Sequence, residues 1–207
     1  VCYASGKIEK CYIPPPSDIL LKSESEQKSD IIVNYNDIFP EEAKIAFEFA
    51  TNIWEQVIQS DIPIHIQADW RTLDESVLGS AGPTNYFTDF KNIPHKNRFY
   101  PISIVERITK TEITGASAPD ITSSFNKNIN WYFGTDGNTP DSLYDFVTVV
   151  LHEIAHGLGF TGFFYISNNL GTYAFNEIGE ASAFDLLVVK NSNNQLVDTT
   201  IFPLPSL

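Results

Sequence analysis

The spacing of apolar positions changes character along this chain. Residues 1–30 carry little periodic signal: Pro14-Pro15-Pro16 is a stiff extended segment, and Lys22 to Asp30 is polar and charged. Ile31-Ile32-Val33-Asn34-Tyr35 reads as a strand. Pro40-Glu41-Glu42 then opens a helix, with proline at its start and acids in its first turn. Ala43, Ile45, Ala46, Phe49, Ile53, Trp54 and Val57 continue it at helical spacing to about Gln59. Ile62 to Ala68 alternates as a second strand, so the ordered part begins strand–helix–strand and predicts parallel pairing in a mixed sheet.

Residues 70–100, rich in Gly, Pro, Asn and Asp, predict surface loops. Tyr100 to Ile108 fits a short strand or a helix equally. Ile121–Phe125 and Ile129–Phe133 predict a hairpin joined by Asn126-Lys127-Asn128. A second long helix follows, capped by Thr139 or Ser142 with Pro140 in its first turn. Its apolar face is Leu143, Phe146, Val147, Val150, Leu151, Ile154 and Leu158, and Gly157 and Gly159 offer its end. Ala183–Val189 predicts a last strand. The fold class expected is α+β, a twisted mixed sheet with two long helices. Residues 1–30 are expected to form an N-terminal extension, and residues 31–207 one domain that can be incomplete at its C-terminus.

The chemistry is concentrated in that second helix. His152-Glu153-Ile154-Ala155-His156 is an H-E-x-x-H motif. Four helical residues advance about 6 Å and pass one full turn, so His152 and His156 project side by side and one Zn2+ can bridge them. Glu153 is then the expected general base, and later the acid, for a zinc-activated water. An apolar helix gains nothing by holding these three polar groups without partners, because burying them unpaired is costly. Of the other two histidines, His65 reads as a structural residue in a strand and His95 as a loop residue. Asp136, Asn138 and Asp141 are oxygen donors that calcium can use, though turn and cap chemistry accounts for them as well.

Composition narrows the partners. The formal charge of −13 disfavours nucleic acid. No run approaches the roughly 18 apolar residues that span a bilayer. The chain starts at Val1 and has no methionine, as expected after removal of an initiator and any leader. Cys2 and Cys11 are its two cysteines, and an extracellular disulfide is their expected use; a thiolate blocking the zinc is the alternative. No glycosylation sequon occurs, and the expected setting is secreted and bacterial.

His152 to Phe160, together with Trp131–Gly137, Asp145–Leu151 and Phe184–Leu187, resembles the metzincin-type zinc metallopeptidases, and most of all the leishmanolysin-like branch. That resemblance implies a secreted zinc endopeptidase acting on protein or peptide substrates, with Ile121–Phe125 as the sheet edge that pairs with substrate. Two positions depart from the pattern. Residue 162 is glycine where that family can place a third histidine, and no methionine is available for the turn beneath the metal. The third ligand is then expected beyond Leu207, or at Asp185, Glu180 or Glu177. A second expectation, from another class, is an inactive binding module that keeps the fold without a complete zinc site.

Overall fold

The structure, a computed structural model, describes residues 1–4, 27–115, 117–167, 170–173, 181–190 and 194–195. Its main sheet has five strands in the order β1-β4-β7-β3-β2: β1 (Cys2–Tyr3), β2 (Ile31–Tyr35), β3 (Ile64–Arg71), β4 (Val77–Pro83) and β7 (Ile121–Asn126). Two-stranded pairs join β5 (Tyr86–Phe87) to β6 (Tyr100–Pro101), β8 (Trp131–Tyr132) to β9 (Tyr144–Asp145), β10 (Phe164–Ser167) to β11 (Leu170–Tyr173), and β12 (Val189–Lys190) to β13 (Asn194–Gln195). The helices are α1 (Glu41–Val57), α2 (Ile102–Thr109) and α3 (Phe146–Gly157), with a 3-10 turn at Phe184–Leu187.

The opening strand–helix–strand unit forms as expected. β2 and β3 are adjacent and parallel, Ile31 opposite Ile64, and β3 is parallel to β7. Glu55 near the end of α1 accepts the N–H of Ile31 at 2.7 Å, tying helix to strand. The face that α1 buries differs from the expected stripe. Ala43, Ala46, Phe47 and Ala50 are buried, while Ile45, Phe49 and Val57 are exposed. The three alanines bring the helix backbone close to the sheet, which larger residues on that face would prevent.

Three other expectations are corrected. Ile121–Phe125 is not a sheet edge, because β7 pairs with β3 on one side and β4 on the other. Nor does it form a hairpin with the following strand: Trp131–Tyr132 pairs in parallel with Tyr144–Asp145. Asn126 diverts the chain, its side chain bridging Leu73, Asp74, Val77 and Asn128. The expected strand at 183–189 is mostly the 3-10 turn, whose Asp185 is buried. The loop region 70–100 supplies strands β4, β5 and β6, and the ambiguous stretch after Tyr100 resolves as a short strand followed by α2.

Helix α3 starts later than Thr139 or Ser142. Its cap is Asp145, whose carboxylate accepts the N–H of Thr148 at 2.7 Å and the hydroxyl of Thr139 at 2.6 Å. A cap of this type satisfies helix N–H groups that have no partner within the helix. Phe146 follows at once and is the hub of an aromatic core. Its ring lies 5.1 Å from Phe125 and Trp131, 5.3 Å from Phe133 and 5.7 Å from Trp70. Edge-on contacts of this kind add to the area buried and fix where α3 begins. Among the described residues, no helix is long and apolar enough to cross a membrane.

Candidate metal centre

With Phe146 anchored, helical geometry places His152 and His156 on one face one turn later. Their Nε2 atoms lie 3.0 Å apart and their rings meet edge to face. Nδ1 of His156 lies 2.8 Å from the carbonyl oxygen of Phe160. A carbonyl can only accept, so Nδ1 carries the hydrogen and the neutral ring presents the Nε2 lone pair toward His152. An outer partner that fixes the tautomer in this way accompanies histidines that bind metal.

The residues after the helix build that partner. Leu158 N–H returns to Ile154 and Gly159 N–H to His156, closing α3. Gly159 has φ +108°, a conformation that L side chains rarely adopt, and it turns the chain so that Phe160 passes back under His156. Gly157 has a different reason to be glycine: a Cβ there would lie 2.4 Å from Cγ2 of Ile121 on β7. The Gly-Leu-Gly segment thus brings the helix end onto the sheet and then reverses it.

Glu153 is fully buried, and among the described residues neither carboxylate oxygen has a hydrogen-bond partner. The backbone nitrogen of Val1 lies 3.8 Å from its Oε2. One ligand atom each from Cys2, His152 and Glu153 lies within 4.8 Å of the others. Burial, and then the Glu153 carboxylate, push the Cys2 thiol above its ordinary value. The expected Cys2–Cys11 disulfide is corrected here. Cys2 is a free thiol, because the pairing of β1 with β4 carries it to the helix, and Cys11 lies outside the described residues. Sequence reasoning set Cys2 beside Cys11 and only weakly beside the zinc. The contact depends on the pairing of Cys2 with Gly79, far along the chain, which no local signal announces.

Asp185 is brought near, but as a brace. Its Oδ2 accepts the N–H of Ser182 at 2.8 Å and the hydroxyl of Ser182 at 3.0 Å, and both oxygens lie within 3.1 Å of the N–H of Phe163. Residue 162 is glycine because a Cβ there would sit 2.7 Å from Asp185 Oδ1. Glu177 and Glu180 lie outside the described residues. Asp136 makes turn contacts, accepting from Tyr132 Oη at 2.6 Å and from Asn138. His65 is buried in β3, and His95 is exposed in a loop.

The SPBPB7E8-like family model matches residues 30–200. The chain belongs to the SPBPB7E8-like family. The uncharacterized protein PB7E8.01 of Schizosaccharomyces pombe is 36% identical over 64 residues, which is 31% of this chain and 11% of that relative. The chain therefore corresponds to a small part of the relative's length. No solved structure matches.

These findings correct the resemblance to leishmanolysin-like metzincins. A five-residue motif reports local metal chemistry, which can be carried by unrelated folds, and the flanking pieces are too short to fix a family. They also correct the bacterial setting, since the relative is from fission yeast, a eukaryote, and neither name indicates secretion or a protease.

The donor set suits zinc. Two imidazole nitrogens with one ring oriented by a carbonyl, beside a thiol and a carboxylate, are ligands that this ion takes readily.

Proposed function

We propose that this chain is a zinc-dependent hydrolase acting on peptide bonds, with one ion held by His152 and His156. The observation that carries the proposal is the convergence of the two Nε2 atoms at 3.0 Å beside a fully buried Glu153 whose oxygens accept no hydrogen bond from the described residues. A buried acid left in that state serves no purpose in packing, and its placement next to His152 suits proton transfer. Bound zinc supplies Lewis acidity toward water and a carbonyl. The carboxylate of Glu153 takes the proton of the attacking water and returns it to the leaving amine. The Phe160 carbonyl keeps His156 in the tautomer that presents Nε2.

One observation favours a second reading, a binding module with a closed zinc site. The Cys2 sulfur lies within 4.8 Å of the donor atoms of His152 and Glu153, and a Cys2 thiolate together with the Glu153 carboxylate would bring the ligands to four and leave no position for water. The two readings separate in one experiment. Purified chain is assayed for zinc content and for chelator-sensitive cleavage of a quenched peptide library, beside Glu153→Gln and Cys2→Ser. Zinc at one per chain, cleavage by the wild type and its loss with retained zinc in Glu153→Gln supports the hydrolase. Zinc without cleavage, with zinc lost in Cys2→Ser, supports the closed site. A cleaving Glu153→Gln protein sinks the proposed mechanism.

A further inference from the structure

A cavity of about 140 Å³ lies where the end of α1, one face of α2 and the exit of α3 meet. Trp54 in the last turn of α1 and Ile58, its C-cap, are four residues apart and both line it. Ser103 and Arg107, also four apart, line it from α2 together with Ile104. Leu158 and Phe160, on either side of the turn at Gly159, complete the lining.

Most of this surface is apolar, yet two buried polar groups in it are unused. Ser103 is only 5% exposed, and its hydroxyl has no hydrogen-bond partner among the described residues. The Trp54 indole Nε1 is buried without a partner in the same way. Ser60, by contrast, both donates to the carbonyl of Ile62 and accepts its N–H. Arg107 donates from Nε to the carbonyl of Gln59, which fixes the guanidinium at the rim and leaves its other N–H groups available. Among the described residues, Arg107 makes no ion pair. Asp61, which feels the Arg107 charge, is paired with Lys110 at 2.8 Å, and no carboxylate lines the cavity.

We propose that this cavity binds a small monocarboxylate carrying one apolar ring or branched chain. The volume sets the apolar part, since an engineered apolar cavity of about 150 Å³ takes benzene. The polar groups set the rest. Indole and guanidinium N–H groups can only donate, and the Ser103 hydroxyl can donate as well. A ligand that satisfies all three therefore brings an acceptor, and the Arg107 charge favours an anionic one. Neither zinc nor peptide cleavage enters this reading. The occupant does abut the turn that orients the histidine pair, because Phe160 also carries the carbonyl that accepts from His156.

The test is calorimetric titration of the full chain with phenylacetate, with and without chelator, checked by tryptophan emission. The expected result is one phenylacetate per chain with affinity better than about 1 mM, a range open to a ligand of about ten heavy atoms. Equal binding in chelator separates this site from any zinc at the histidine pair. Phenylacetamide, which is neutral and of the same shape, is expected to bind at least about tenfold more weakly, and so is phenylacetate to Arg107→Gln. Ser103→Ala removes an unpaired hydroxyl and is expected to fold as the wild type does, with phenylacetate bound about three- to tenfold more weakly. Lys110→Gln is the control, with unchanged affinity. The emission change is expected to be lost in Trp54→Phe, since Trp54 is the tryptophan that lines the cavity. Any of four results overturns the proposal: no binding up to about 1 mM, binding only when zinc is present, an affinity unmoved by phenylacetamide or Arg107→Gln, or an emission change that survives Trp54→Phe.

Discussion

His156 Nδ1 donates to the carbonyl of Phe160 across 2.8 Å, and the positive φ of Gly159 is what brings the two together. Replacing Gly159 by alanine forces an L residue to φ +108° and places its Cβ 3.0 Å from Pro101. A destabilisation of about 1–3 kcal/mol is expected, together with a roughly 10–100-fold loss of zinc affinity as the outer partner shifts. Thermal melting and a zinc competition titration read the two effects. Unchanged zinc affinity in the folded variant removes Phe160 from the metal centre.

Gly157→Ala tests the seating of α3 on β7. Its Cβ would meet three carbons of Ile121 at 2.4, 2.8 and 2.9 Å. Overpacking of this kind costs about 1–3 kcal/mol. Ile121→Ala removes all three contacting atoms, so the double variant is expected to be more stable than the sum of the single losses. Chemical denaturation of the four-member cycle gives the coupling; simple additivity contradicts the contact.

Asp185→Ala separates brace from ligand. The carboxylate accepts from Phe163 N–H and from both the N–H and hydroxyl of Ser182. Its removal leaves buried donors unpaired and is expected to cost at least about 3 kcal/mol. Zinc stoichiometry in the folded variant is expected to stay the same. Loss of zinc at a temperature where the variant is still folded would return Asp185 to the ligand set.

Glu106, Glu112 and Asp120 each bring an oxygen within 4.8 Å of the other two, and this acid cluster predicts a pH dependence. Burial pushes the Asp120 carboxyl up to about 7, the carboxylates of Glu106 and Glu112 add to the rise, and the N–H of His65 opposes it. A folded value above the unfolded one, which is about 3.9, gives a contribution that is fully present below the unfolded value. It is lost as pH rises from about 4 through 7. Unfolding free energy is expected to decline across that window. Melting temperatures at several pH values measure the slope; a stability that stays constant or rises between about pH 4 and 7 contradicts this account.

What was legible in the sequence was local. The period of Glu41–Val57, the alternation of Ile64–Ala68 and the H-E-x-x-H spacing each report interactions within a few residues, and backbone geometry alone carries them to structure. The register of the α1 face was not legible, because Ile45 and Phe49 follow the same period as the buried alanines and only contact with the sheet chooses between them. The partner of Ile129–Phe133 was not legible for a related reason: Asn126 makes long-range hydrogen bonds that override an ordinary turn signal.

The sequence by itself determined that two imidazoles and a carboxylate would share one helical turn, since a spacing of four residues and the helix pitch leave no other arrangement. It also offered glycine at 157 and 159 as the end of that helix. Only the tertiary structure decided what surrounds those groups. It placed Cys2 beside Glu153 through the pairing of β1 with β4, turned Asp185 into a brace for the loop that begins at Thr161, and gathered Glu106, Glu112 and Asp120 from three separate segments. The physical reason is common to all three cases. Electrostatic and hydrogen-bond partners are chosen by proximity in space, and chain spacing sets that proximity only within a single helix or turn.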